Sequence, residues 1–175
     1  KIIFSNISKL SLSKIPINPD YIFHCAGGSS VKKSLKNPKK DYRDTVETTK
    51  CILDFYKDKS KKKPIIFFFS SAAVYGDSKN MLKPISPYGK NKLLAENICE
   101  KYSKKYNYKM IILRLYSVYG DGLKKQLFWD VCNKIKNKNN TYFGSGNEKR
   151  CWINIIDLIY AISLLVKIKN KIMKI

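Results

Sequence analysis

Ser86-Pro87-Tyr88-Gly89-Lys90-Asn91-Lys92, read with Ser70-Ser71-Ala72-Ala73-Val74-Tyr75-Gly76 just upstream, decides the fold of this 175-residue chain. Serine followed by proline is a helix start: the hydroxyl caps free backbone N–H groups, and proline at the first helical position gives up a donor that has no partner there. Leu93, Leu94, Ala95, Ile98 and Tyr102 continue at a helical period. Tyr88 and Lys92 therefore stand one turn apart on one face. A free tyrosine titrates at about 10 and is a poor base at neutral pH. A neighbouring ammonium favours the phenolate, so the spacing predicts a Tyr88 hydroxyl drawn down towards acid–base use.

Tyr-x-x-x-Lys alone also describes two amphipathic side chains on a wet helix face. The upstream segment weighs against that. Pro64-Ile65-Ile66-Phe67-Phe68-Phe69 has the length and composition of a strand buried on both faces of a parallel sheet. Ser71 then falls at the carboxyl end of a central strand, the edge at which open α/β sheets bind ligands. Serine there, with tyrosine and lysine on the next helix, puts three reactive groups in one crevice.

At these residues the sequence resembles the extended short-chain dehydrogenase/reductases, the NAD-dependent nucleotide-sugar epimerase/dehydratase family. Asp20-Tyr21-Ile22-Phe23-His24-Cys25-Ala26-Gly27 resembles the family's fourth strand and its exit, and Ile111-Ile112-Leu113-Arg114-Leu115-Tyr116-Ser117-Val118-Tyr119-Gly120 the strand after the tyrosine helix. Phe143-Gly144-Ser145-Gly146 and Arg150-Cys151-Trp152-Ile153-Asn154-Ile155-Ile156-Asp157 resemble its substrate-side signatures. The resemblance implies an α/β fold: a Rossmann-like, doubly wound parallel sheet, incomplete at the amino end, with part of a small substrate-binding region. It divides the chain into residues 1–122, the carboxyl-side part of an NAD-binding domain, and 123–175, substrate-facing segments with a returning core helix. Gly27 and Gly28 are the first glycines, so no Gly-x-Gly-x-x-Gly precedes them. The expectation is a fragment of a longer protein.

Carried over residue by residue, the resemblance implies that Tyr88 exchanges the proton of a sugar hydroxyl, Lys92 bonds the nicotinamide ribose, and Ser71 bonds the developing ketone. The implied cofactor is NAD, with NADP left open. Its implied contacts are Asn6, in place of an aspartate that accepts from the adenine amino group, then His24, Cys25, Ala26, Gly27, Ser70 and Tyr116, alongside Tyr88 and Lys92. Arg150 resembles the arginine that neutralises a nucleotide-diphosphate sugar. Gln126 replaces an asparagine on that diphosphate and Ser117 one at the sugar; Ser71 completes the substrate contacts. His24 itself is read as structural rather than as the base. The family's 4,6-dehydratases carry Asp-Glu where this chain has Ala72-Ala73, and alanine moves no proton. Dehydration and decarboxylation are thereby disfavoured. What remains is hydride removal and return, an epimerase, with a reductase or dehydrogenase of the same family, or a non-catalytic dinucleotide-binding relative, as alternatives. Thr45 replaces the family's asparagine in the preceding helix, which implies weaker support for the site's strands. The resemblance also implies a homodimer through the helices at 41–56 and 86–105, and a cytoplasmic enzyme of surface polysaccharide synthesis.

A formal charge of +22 raises the question of nucleic acid or an anionic membrane. Arg43, Arg114 and Arg150 are the only arginines, however, and a surface selected to read bases or clamp phosphates uses the arginine fork. A solvated lysine surface follows, with no nucleic-acid partner. His24, the only histidine, cannot build a multi-histidine metal site. Five cysteines lack C-x-x-C spacing and, three of them lying in apolar patterns, read as buried free thiols. Residues 158–168 are apolar but too short to cross a bilayer, so no membrane partner is expected; they read as a core helix with Asp157 as N-cap. Residues 1–4 read as a strand end, 9–19 as a loop, and 41–56 as an amphipathic helix striped by Tyr42, Val46, Thr49, Leu53 and Tyr56. Residues 123–136 read as a helix, and 141–143 and 152–156 as short strands.

Overall fold

The apolar run from Ile65 becomes the central strand of a parallel sheet, and the rest of its unit is laid against it. The computed structural model describes residues 2, 4–15, 18–59, 62–78, 81–139, 141–142, 144–167 and 172–174. It shows two compact units, Lys1–Leu115 with Asn170–Ile175, and Tyr116–Lys169. In the first, α1 (Lys9–Leu12) precedes β1 (Tyr21–His24), and then come α2 (Val31–Lys36), α3 (Pro38–Tyr42), a π-helical turn (Arg43–Glu47) and α4 (Thr48–Lys59). β2 (Ile65–Ser71), a 3-10 turn (Ala72–Val74), α5 (Pro87–Tyr106) and β3 (Lys109–Leu115) complete the run. The second unit holds β4 (Ser117–Tyr119), α6 (Gln126–Lys136), β5 (Trp152–Asn154) and α7 (Ile155–Leu165). β6 (Ile172–Lys174) returns to the first unit's sheet, whose order is β1-β2-β3-β6; β4 and β5 pair separately.

Every pairing is parallel, with His24 opposite Phe68 and Ser71 opposite Leu115. Parallel neighbours need long crossovers, and the helices supply them. One face of the sheet carries Ile66, Phe68, Met110 and Ile112 against Leu53 and Tyr56 of α4 and Ala95 and Cys99 of α5, all buried. The two-residue period turns Phe67 to the other face. There it stacks on half-exposed Phe23 with ring centroids 4.8 Å apart. The phenylalanine run is used on both faces, as a central parallel strand requires.

Several segments differ from the sequence reading. Ile2 and Phe4 are exposed and lie in no strand; Lys1 and Ile3 fall outside the described residues. The 9–19 stretch contains α1, because Ser8 and Ser11 cap one another in a capping box. The helix read at 41–56 starts at Pro38 behind an Asn37 cap and includes the π-helical turn. Thr141 and Tyr142 lie in no strand, and Phe143 is outside the described residues. The cap of α7 is Asn154, whose side chain accepts from the Ile156 N–H, and Asp157 lies inside the helix. Nor is α7 a core helix: only Leu158 is buried, while Ile156 is 71% and Tyr160 66% exposed. An apolar run shows that a face can be buried, not that anything covers it. Of the cysteines only Cys99 is buried; Cys25, Cys132 and Cys151 are exposed, Cys51 is intermediate, and all are free. Among the described residues no helix is long and apolar enough to cross a membrane.

Candidate active site

α5 starts as Ser86-Pro87 predicts, with the Ser86 hydroxyl accepting from the Gly89 N–H at 3.1 Å and Pro87 as first residue. The Tyr88 N–H donates to the Ser34 hydroxyl of α2 at 3.1 Å, a cap from far upstream that no local pattern announces. Gly89 allows the helix start to approach the strand end. A Cβ there would lie 2.4 Å from the Ala73 carbonyl oxygen and 3.0 Å from Pro84. That approach sets Tyr88 over the end of β2. Ser71, the last residue of the strand, caps the 3-10 turn by accepting from the Ala73 N–H at 3.2 Å, and its hydroxyl stands near enough to the Tyr88 phenol to influence its titration. One turn along α5, Lys92 is buried; its Nζ donates to the Phe69 carbonyl at 2.8 Å and lies 5.9 Å from the Tyr88 ring centroid. Ser71, Tyr88 and Lys92 thus converge at the carboxyl end of β2.

The electrostatics depart from the expected lowering of Tyr88. Burial raises its hydroxyl above the ordinary value; the Ser71 hydroxyl pulls it down and the Asp41 charge pushes it up. Lys92 is itself cut off from water. Burial lowers it to about 8, against the pull of Asp41, Cys25 and Glu96, which hold its proton. In both groups desolvation outweighs the neighbouring charges and hydrogen bonds.

The end of β1 is tied to the helices by hydroxyls. Thr45 lies in the π-helical turn, where the extra residue bulges the backbone. Its Oγ1 accepts from the Gly28 N–H at 2.8 Å, so the threonine that stands in place of asparagine ties this turn to the end of β1. The Thr49 hydroxyl donates to the Thr45 carbonyl at 2.6 Å, which leaves its oxygen to accept from His24 Nε2 at 2.9 Å. Burial, then the charge of Lys92, lowers His24 to about 4. It is a neutral structural link. Cys25, Ala26 and Gly27 follow; Gly27 has φ +150° and a Cβ there would lie 3.2 Å from Lys92 Nζ.

Ser70 faces away from Ser71. Its hydroxyl donates to Glu96 Oε1 at 2.6 Å, and fully buried Glu96 accepts from Arg114 Nη2 at 2.7 Å and Nε at 3.1 and 3.2 Å. Arg114 Nη1 reaches the Tyr75 hydroxyl at 2.8 Å. The Ser70 proton is therefore spent on an internal ion pair rather than on a cofactor. Asn6 is exposed, its carbonyl accepting from the Ser5 hydroxyl. Tyr116, Ser117, Gln126 and Arg150 belong to the second unit. Tyr116, Gln126 and Arg150 are exposed there; Gln126 opens α6 at φ +70°, and the Ser117 N–H donates to the Cys151 carbonyl at 3.2 Å. The sequence reading missed Ser34, Asp41 and the Glu96–Arg114 pair. Glu96 had a signal, since it continues the stripe of Tyr88 and Lys92 by one more turn.

The model of the NAD dependent epimerase/dehydratase family matches residues 6–174. The chain belongs to that family. The putative UDP-glucose 4-epimerase of Methanocaldococcus jannaschii is 29% identical over 89% of this chain and 55% of its own length. UDP-glucose 4-epimerase 4 of Oryza sativa subsp. japonica is 35% identical over 79% and 44%. The UDP-glucuronic acid 4-epimerase of Bacillus cereus, solved with UDP-glucuronic acid and NAD, superposes with a TM-score of 0.82 at 26% identity, covering 98% of this chain and 56% of that one. The chain spans about half the length of the relatives it matches, and its parallel α/β sheet is the Rossmann-like sheet of the family.

Proposed function

We propose that the whole protein is an NAD-dependent nucleotide-sugar epimerase that works through a keto-sugar intermediate. The observation that carries this reading is the convergence of Ser71, Tyr88 and Lys92 at the carboxyl end of β2, beside Ala72 and Ala73, which have no proton to give. NAD, when bound, supplies hydride acceptance and return. The residues present suit it: Lys92 keeps donor protons beyond the one given to Phe69, and Gly27, at the end of β1, lies against Lys92 Nζ. Lys92, Tyr88 and the backbone at Cys25, Ala26 and Gly27 would hold the dinucleotide, with Asn6 and Tyr116 as outer contacts; NADP remains the alternative.

Tyr88 Oη exchanges the proton of a sugar hydroxyl, and the Ser71 hydroxyl donates to that oxygen as it becomes a carbonyl. The raised Tyr88 value makes the phenol its resting form, the one that returns a proton to a ketone. The phenolate needed for the opposite step relies on Lys92, since the one Ser71 proton is then given to the sugar oxygen. Arg150, with its fork of donors, would neutralise the diphosphate, Gln126 would assist it, and Ser117 would face the sugar. A homodimer through the helices at 41–56 and 86–105 is supported by Tyr42 and Leu94, apolar side chains left exposed on them. The substrate class supports a cytoplasmic place and a role in surface polysaccharide synthesis.

The test is to incubate the whole protein with NAD and a panel of UDP-sugars and follow the sugar ring by NMR. The expected result is a mixture of two epimers with no net NADH. Stoichiometric NADH would replace this reading with a dehydrogenase, and an unchanged panel would overturn it.

A further inference from the structure

Asn91, next to Lys92 on α5, donates from Nδ2 to Asp41 Oδ2 of α3 at 2.8 Å. Asp41 is only 6% exposed. It is seated against Gly28: a Cβ on that glycine would lie 1.9 Å from Asp41 Oδ1, so any side chain there would displace the carboxylate. The preceding Gly27 gives Lys92 Nζ its own room. Two successive bare glycines at the end of β1 thus accommodate one anion and one cation. A buried carboxylate is costly unless another charge answers it, and Asn91 is neutral.

We propose that Asp41 is a positioning residue of this site: its carboxylate, tethered by Asn91 and seated on Gly28, keeps Lys92 in its cationic form beside Tyr88. The inference rests on reading Lys92 as the cation of the active site. The other groups around Lys92 do not fill the role. From β1, His24 is neutral, and the Cys25 thiol, which burial raises, adds a smaller pull than Asp41. On its own helix, Tyr88 rests as the phenol and Glu96 is bound to Arg114. Asp41 comes before Cys25 and Glu96 among the charges that hold the proton on Lys92. Around Asp41, Lys33, Lys40 and Asp44 share a small cleft, and there Lys40 pairs with Asp44 at 2.6 Å.

The test reads the titration of Lys92 rather than turnover, so it fails separately from the epimerase reading. Trace acetylation by acetic anhydride over neutral to strongly alkaline pH, scored on the Lys92 peptide by mass spectrometry, gives the midpoint in the whole protein. Asp41→Asn keeps the side-chain volume and still offers Asn91 an acceptor. It should lower the Lys92 midpoint by about one pH unit or more, while Asp44→Asn, in the same cleft, leaves it in place. Asn91→Ala, which keeps the charge and removes the tether, should lower it by less. An unchanged midpoint in Asp41→Asn, or an equal fall in Asp44→Asn, overturns the proposal. Should Asp41→Asn not fold, an unchanged midpoint in Asn91→Ala overturns it instead.

Discussion

Replacing Lys92 with methionine keeps a chain of similar length over the Phe68 ring and removes the charge. Burial brings Lys92 from 10.5 to about 8, so keeping the ammonium folded at neutral pH costs about 3 kcal/mol relative to the unfolded chain. Against that stands the bond to the Phe69 carbonyl at 2.8 Å, a charge-assisted hydrogen bond of about 1.5–3 kcal/mol. The methionine variant should therefore be as stable as the wild type at neutral pH, or more stable by up to about 1.5 kcal/mol, although it has lost the site's cation. The pH dependence isolates the charge. The folded value lies below the unfolded one, so between about 8 and 10.5 the unfolded chain binds more protons and wild-type stability rises with pH. Methionine has no such proton. Urea melts at neutral pH and at about pH 11 should then show the stability difference moving by about 3 kcal/mol in favour of the wild type. The other lysines are common to both proteins and cancel. A difference that stays the same at both pH values would refute the reasoning.

Tyr88→Phe should lower kcat of the whole protein more than tenfold, above about 1.4 kcal/mol, with circular dichroism and NAD affinity unchanged; a smaller loss removes Tyr88 from acid–base work. Glu96→Gln leaves the Arg114 guanidinium without its counter-charge and should cost about 3–5 kcal/mol in a urea melt, a loss under about 1 kcal/mol counting against the ion pair. Gly89→Ala pushes a Cβ to within 2.4 Å of the Ala73 carbonyl and should cost about 1–3 kcal/mol, so an unshifted melt would show that the approach of α5 to β2 is not tight. Arg150→Ala should raise KM for the nucleotide sugar, whereas neutralising Lys62, paired with Asp20 at the amino end of the sheet, should not. Equal effects would credit the field of the whole surface instead.

What the sequence revealed was set by how local the cause is. Ser86-Pro87 starts α5 through bonds within four residues, and the phenylalanine run needs only its own composition to become a buried strand. Ser71, Tyr88 and Lys92 were legible because one strand end and one helix turn place them. Pairings across the fold were not. Nothing near Ser34 shows that it caps Tyr88, and nothing near Thr45 shows that a π-helical turn carries its hydroxyl to Gly28. The Tyr88 titration was misread for a related reason: spacing reports which charges are neighbours, and burial decides what they are worth. In α7 the apolar run was read correctly as helical, but burial depends on what lies against it, which a run of letters does not contain.

Tyr88, Lys92 and Glu96 follow one another at intervals of four along α5, and the stripe explains why the site needs both of its serines. Ser71 and Ser70 alternate across β2. Ser71 meets Tyr88 at the reactive end of the stripe, and Ser70 meets Glu96 at the other. The bidentate Arg114 contact then fastens Glu96 to β3, the strand paired with β2 through Ser71 and Leu115. A helix free to rotate or slide would separate Tyr88 from Ser71. Two strands that grip the stripe one turn beyond Lys92 prevent both motions without placing another titrating group in the crevice. Fixing register is one attested use of buried charge, and the Glu96–Arg114 pair is placed to serve it. On this argument, repacking Glu96 and Arg114 with apolar residues of matching volume preserves stability and loosens the contact between Tyr88 and Ser71.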